Sequence, residues 1–167
     1  MNKIFILLGT NLGDRMQQLA LARKYLEERA GKIQKESAIY ETAAWGIEDQ
    51  PSFLNQVVLI SSDLSAMECL NCTRQIELDL GRIRIKKWGE RAIDIDLLYF
   101  NDEIIHYPTL IIPHPLISER RFTLEPLAEI APDYIHPVYK KNNVSLLNNC
   151  QDELPVKKIS NDEPYRH

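Results

Sequence analysis

Residues Gly81–Phe100 read G-R-I-R-I-K-K-W-G-E-R-A-I-D-I-D-L-L-Y-F. The stretch sets Arg82, Arg84, Lys86, Lys87 and Arg91 ahead of Asp94 and Asp96. Ile93–Phe100 has the pattern of a strand. Side chains alternate along a strand, so Asp94 and Asp96 share one face while Ile93, Ile95 and Leu97 take the other. Working outward, the residues before Gly81 follow a helical pattern opened by the capping box Ser65-x-x-Glu68, with Gly81 as its stop. Phe53–Ser61 alternates, with Phe53, Asn55, Val57 and Leu59 on one face. Ile33–Glu41 reads as a single strand. Before it, Asp14 with Gln17 opens a helix to about Ala30, stopped by Gly31. Lys3–Leu8 is a short apolar strand, and Gly9–Gly13 a tight turn.

The order β-α-β-β-α-β implies an α+β fold of ferredoxin-like type, an antiparallel sheet with helices packed on it and C-terminal additions. After the strand at Phe100 come short extended pieces at Glu103–His106 and Leu110–Ile112, then a short helix or turn over Ser118–Leu127 ended by Pro126. From about Asn142 the chain turns polar, which predicts a loosely ordered tail. Residues 1–167 are expected to form one domain.

Bulk properties narrow the function. A hydrophobic content of 44% and a charged content of 26% are ordinary for a globular protein. The net charge of −4 argues against a nucleic-acid or membrane binder. No apolar run approaches the ~18 residues of a membrane span. Three cysteines, Cys69, Cys72 and Cys150, do not suggest a disulfide framework, and a cytoplasmic location is expected.

The cationic run is therefore local, and local charge points to a small anionic ligand. Paired carboxylates supply the hard oxygens that suit Mg²⁺, which keeps waters and leans on substrate phosphates. Arginine forks bind phosphate oxygens two at a time. Together they point to phosphoryl or nucleotidyl transfer from a magnesium-bound nucleotide. Taken alone, D-I-D reads more readily as a solvated strand face, and a metal-dependent nuclease or nucleotidyltransferase or a non-catalytic ligand sensor also accommodates it. Three further features add candidates. His114 lies between Pro113 and Pro115, with Arg120 shortly after. Phe53 and Asn55 share a strand face suited to stacking a flat heterocycle and reading its edge. Trp88 lies inside the basic run and Phe122 follows Arg121.

Taken in order, G-T-N-L-G-D, F-L-N-Q-V-V, I-E-L-D-L-G-R-I-R, W-G-E-R-A-I-D-I-D-L-L-Y-F, I-P-H-P and R-R-F-T-L-E-P-L-A-E-I-A-P resemble the 6-hydroxymethyl-7,8-dihydropterin pyrophosphokinase family of folate biosynthesis, over about residues 3–137. The resemblance implies transfer of the β,γ-pyrophosphoryl group of ATP to the hydroxymethyl oxygen of the reduced pterin, with AMP as the other product. It implies Asp94 and Asp96 as carboxylates for two Mg²⁺ ions. Arg82, Arg84, Lys87, Arg91, His114 and Arg120 match nucleotide and pyrophosphate contacts, with Arg82 and Arg91 also in the catalytic set. Phe53 and Phe122 match the aromatic pair around the pterin, Asn55 the amide that reads its edge, and Thr42 and Ala44 the backbone groups beside it. Trp88 matches a tryptophan that closes over the pterin. Ala43-Ala44 stands where many members carry Pro-Pro. A monomer acting on ATP and the pterin, without nucleic acid or membrane, is the expectation.

Overall fold

The structure, a computed structural model, describes residues 1–43, 51–83 and 93–159. Strand β1 (Asn2–Thr10) leads into helix α1 (Arg15–Arg29), followed by β2 (Lys32–Glu36), β3 (Ile39–Thr42) and β4 (Phe53–Ser62). Helix α2 (Ala66–Ile83) precedes β5 (Asp94–Phe100). A hairpin of β6 (Ile105–Tyr107) and β7 (Leu110–Ile112), a 3₁₀ turn at Ile117–Glu119, helices α3 (Arg121–Ile130) and α4 (Asn143–Asn148), and β8 (Val156–Ile159) complete the described chain.

The main sheet runs β5-β1-β4-β3-β8, with β2 also paired to β4, and its pairs are antiparallel. This is the expected ferredoxin-like arrangement. Strand β1 is apolar on both faces because both are covered. Ile4, Ile6 and Leu8 join Leu19 and Leu26 of α1 and Ile76 and Leu80 of α2 in one core. Phe5 and Leu7 join Leu124, Leu127 and Leu146 in a second core under α3 and α4. The local signals at the helix starts hold. Asp14 Oδ1 accepts from the Gln17 amide at 3.1 Å, and Ser65 and Glu68 exchange both bonds of a capping box at 2.9 and 3.1 Å. Gly31 does follow α1, but close approach explains it: a Cβ there would lie 2.2 Å from the Ser61 carbonyl oxygen of β4.

Five expectations are corrected. The strand expected over Ile33–Glu41 is two strands. Ser37 still pairs with Val57 through its amide and hydroxyl, but the Ala38 amide turns away to the Glu129 carboxylate of α3 at 3.1 Å. Helix α2 continues past Gly81 to Ile83, since a helical glycine costs only about 1 kcal/mol and the buried stripe of Ile76 and Leu80 offsets it. Helix α3 runs through Pro126 to Ile130. A helical proline costs about 3 kcal/mol, while burying Leu127 and Ile130 contributes roughly 1.5–3 kcal/mol each. The turn expected from Gly9 begins two residues later, because β1 extends to Thr10. Finally, the polar stretch after Asn142 holds α4, capped by the Asn142 side chain, and β8, which adds to the edge of β3. Among the described residues no helix is long and apolar enough to cross a membrane.

Candidate active site

Strand β5 lies beside β1 with Asp94 opposite Gly9 and Asp96 opposite Leu7. Ile95 is buried in the α1–α2 core, so both carboxylates face the other side of the sheet, Asp94 exposed and Asp96 half-buried. β5 is an edge strand of the sheet. The amide of Ile95, between the two aspartates, donates to Glu77 Oε2 of α2 at 2.8 Å, and Glu77 Oε1 pairs with Arg74 at 3.2 Å. The buried Glu77 carboxylate thus pins the strand that carries the pair. Sequence reasoning missed it. Its signal was a charged residue on the buried stripe of Thr73, Ile76 and Leu80.

On that same face β1 continues from Leu7 to Gly9, and β4 sets Asn55 opposite Gly9. A Cβ on Gly9 would lie 2.7 Å from Asn55 Oδ1, so only glycine leaves room for this amide. Asn55 Nδ2 donates to Thr42 Oγ1 at 3.4 Å, and both residues are buried. Phe53, opposite Thr42, stands one step toward the strand start on the same face. Asp94, Asp96, Phe53 and Asn55 line one cleft of about 990 Å³, which Arg120 and Phe122 also line. The Arg120 guanidinium lies 5.6 Å from the centre of the Phe122 ring.

Asp96 also borders a smaller cavity of about 240 Å³ that holds Leu70, Arg74, Thr109 and His114. The His114 amide donates to the Leu98 carbonyl at 2.9 Å, and its Nδ1 accepts from the Leu116 amide at 3.1 Å. Burial pushes the His114 pKa below its ordinary value, against the pull of Asp96. The ring is therefore neutral at pH 7, and with Nδ1 accepting, its proton sits on Nε2 as a donor.

Among the described residues the main cleft carries five carboxylates, Asp94, Asp96, Glu119, Asp152 and Glu153, against one guanidinium, Arg120. Such a surface repels a polyphosphate unless cations join it. Asp94 and Asp96 present hard oxygen donors side by side, the set Mg²⁺ takes, and no group of three or more candidate ligands occurs among the described residues. Two protein carboxylates fit an ion that completes its shell with water and phosphate.

The structure brings together Thr42, Phe53, Asn55, Asp94, Asp96, Arg120 and Phe122, with His114 across Asp96. Arg82 falls in the last turn of α2. Ala44, Arg84, Lys86, Lys87, Trp88 and Arg91 lie outside the described residues. The segment Asn149–Glu153, which also lines the cleft, carried no sequence signal.

Residues 5–132 match the family model described as 7,8-dihydro-6-hydroxymethylpterin-pyrophosphokinase. A relative from Bacillus subtilis, named 2-amino-4-hydroxy-6-hydroxymethyldihydropteridine pyrophosphokinase, is 48% identical over 132 residues, covering 78% of this chain and 79% of its own length. One of the same name from Aquifex aeolicus is 42% identical over 141 residues, covering 84% and 88%. A solved structure of Plasmodium falciparum HPPK-DHPS with STZ-DHP superposes with a TM-score of 0.72 at 20% identity, over 88% of this chain. This chain spans 43% of the length of that one, and the likeness carries the fold.

Proposed function

The chain belongs to the 7,8-dihydro-6-hydroxymethylpterin-pyrophosphokinase family, and from that premise we propose how its cleft divides the work. The protein transfers pyrophosphate from ATP to the hydroxymethyl group of 6-hydroxymethyl-7,8-dihydropterin in folate synthesis. In the reaction the hydroxymethyl oxygen forms a bond to the β-phosphorus. The bond from that phosphorus to the oxygen bridging the α-phosphate breaks, AMP leaves, and the hydroxyl proton is released.

The pterin takes the space between Phe53 and Phe122, where aromatic faces stack on a flat ring. Asn55, oriented by Thr42 and given room by Gly9, reads the ring edge, a task the family resemblance shares with the backbone at Ala44. The hydroxymethyl group then points toward Asp94 and Asp96. These two carboxylates would hold two Mg²⁺ ions, which would neutralise phosphate charge and favour in-line displacement. Neutral His114 donates through Nε2 to a phosphate oxygen, and Arg120 offers its guanidinium fork to the same group. The nucleoside end of ATP takes the smaller cavity beyond Asp96. Arg82, Arg84, Lys87 and Arg91 supply the positive charge that the acidic cleft lacks, and Trp88 covers the pterin. The enzyme acts as a cytoplasmic monomer on these two small molecules, independent of nucleic acid and membrane.

One observation carries this reading: an aromatic pair, a buried amide and a carboxylate pair meet in a single cleft. It is tested by incubating the protein with ATP, Mg²⁺ and the pterin. AMP and the pterin diphosphate are expected in equal amounts, and a chelator is expected to stop both. Release of ADP and phosphate, or turnover indifferent to chelation, would overturn it.

A further inference from the structure

Helix α3 starts at Arg121, between the two residues through which it faces the cleft, Arg120 and Phe122. A helix start leaves backbone N–H groups without partners inside the helix, and a Ser, Thr, Asp or Asn at the cap position ordinarily meets one of them. Here the cap position is Arg120, whose side chain makes no capping bond. The acceptor comes from 31 residues further on, where Asp152 Oδ2 takes the Arg121 amide at 3.1 Å.

The other oxygen of the same carboxylate is also engaged: Asp152 Oδ1 accepts from the Leu154 amide at 3.0 Å. The carboxylate therefore bridges the start of α3 and the C-terminal segment. The Arg121 side chain fastens the same joint, its Nε donating to the Asp152 carbonyl at 2.9 Å and a terminal nitrogen to the Cys150 carbonyl at 3.3 Å. On its own helix Arg121 pairs with Glu125 at 3.6 Å. The segment is anchored on both sides, by α4 before it and by β8 after it, where Val156 pairs with Thr42. A carboxylate at a helix start is also favoured by the helix dipole.

We propose that Asp152 is a positioning residue of the transfer reaction: it caps α3 from the C-terminal segment and so fixes where Arg120 and Phe122 stand against the substrates. The inference rests on the reading of those two residues as phosphate and pterin contacts. It gives the C-terminal strand β8 a purpose besides covering the edge of β3, because β8 holds the segment that carries the cap. Misplacement at this joint shifts an aromatic wall and a guanidinium together, so it weakens pterin use as well as nucleotide use.

The test is steady-state kinetics with the full chain, alongside melting temperatures and equilibrium binding of the pterin. Asp152→Ala is expected to lose between about tenfold and about a hundredfold in kcat/KM. Asp152→Asn, whose single oxygen can still take the Arg121 amide while its NH2 leaves the Leu154 amide without an acceptor, is expected to lose less than Asp152→Ala. Arg121→Pro removes the N–H donor at a first helical position, where proline is accommodated. The preceding residue is already extended, at φ −125° and ψ 108°, as a residue before proline requires. It should lose at least as much as Asp152→Ala, since it also removes the side-chain bonds to the Asp152 and Cys150 carbonyls, and the double variant should be no worse than Arg121→Pro alone. Arg120→Ala and Phe122→Ala serve as references. If both references are impaired while Asp152→Ala retains wild-type kcat/KM, the proposal is wrong. Losses from Asp152→Ala and Arg121→Pro that simply multiply would also overturn it, and if Asp152→Ala does not fold, wild-type kcat/KM in Arg121→Pro beside impaired references overturns it. If neither reference is impaired, the reading of the cleft fails and the proposal falls with it.

Discussion

The two faces of the central sheet are covered to different extents. On one, Ile4, Ile6 and Leu8 of β1 lie beneath α1 and α2 in a continuous apolar cluster. On the other, α3 and α4 cover Phe5 and Leu7, and at Gly9 the cover stops. The residues that flank Gly9 there are Asn55 and Asp94, one from each neighbouring strand. A single strand thus builds core along one face and passes from core to cleft along the other. Burial over the whole of one face supplies the stability that lets the other remain open. Mutations should therefore act on stability beneath α1 and α2, and on substrate use where α3 starts.

The largest stability effect is expected on the closed face. Leu26 is fully buried in α1, so Leu26→Ala should cost about 2–5 kcal/mol in denaturant unfolding and leave kcat unchanged below the melting transition. A loss of kcat in folded protein would show that the two faces are not separable.

A smaller and opposite pattern is expected at Gly9. The Cβ of Gly9→Ala must displace the Asn55 amide, a side-chain end that can move, so the melting temperature should hold. The KM for the pterin should rise by about tenfold as the amide loses its place. An unchanged KM would remove Asn55 from the recognition of the ring.

The smallest effect concerns the covered end of the cleft face. His136 is buried beside Tyr99, its Nδ1 accepting from the Val138 and Tyr139 amides, and burial pushes its pKa down to about 4. An unfolded histidine titrates near 6.5, so between these values the unfolded chain binds the extra proton. This contribution to stability is whole above about pH 6.5 and declines as pH falls toward about 4. Urea midpoints measured between pH 7 and pH 5 should fall less in His136→Gln than in wild type. Parallel declines would exclude this histidine as a source of the dependence.

Local features carried much of the account into the sequence. The helix starts at Asp14 and Ser65 were legible because a cap and its partner sit three residues apart. The shared face of Asp94 and Asp96, and that of Phe53 and Asn55, followed from strand alternation alone. What stayed hidden depends on distant partners. Nothing near Ala38 announces that its amide leaves the sheet for Glu129, and nothing near Pro126 announces that buried Leu127 and Ile130 carry the helix past it. Asp152 sits in a polar run whose order comes from β3 and Arg121, both remote in sequence. Glu77 is the intermediate case, a charge on a buried helical stripe whose partner could be found only in three dimensions.

If the open face of the sheet performs the transfer, it does so through the carboxylates of β5. Turnover and melting temperature of Asp96→Ala test it most directly. An unchanged melting transition is expected, because Asp96 is a cleft residue, with AMP formation reduced by at least about a thousandfold, the scale of losing a metal-held charge clamp. Near wild-type AMP formation from folded Asp96→Ala would contradict it.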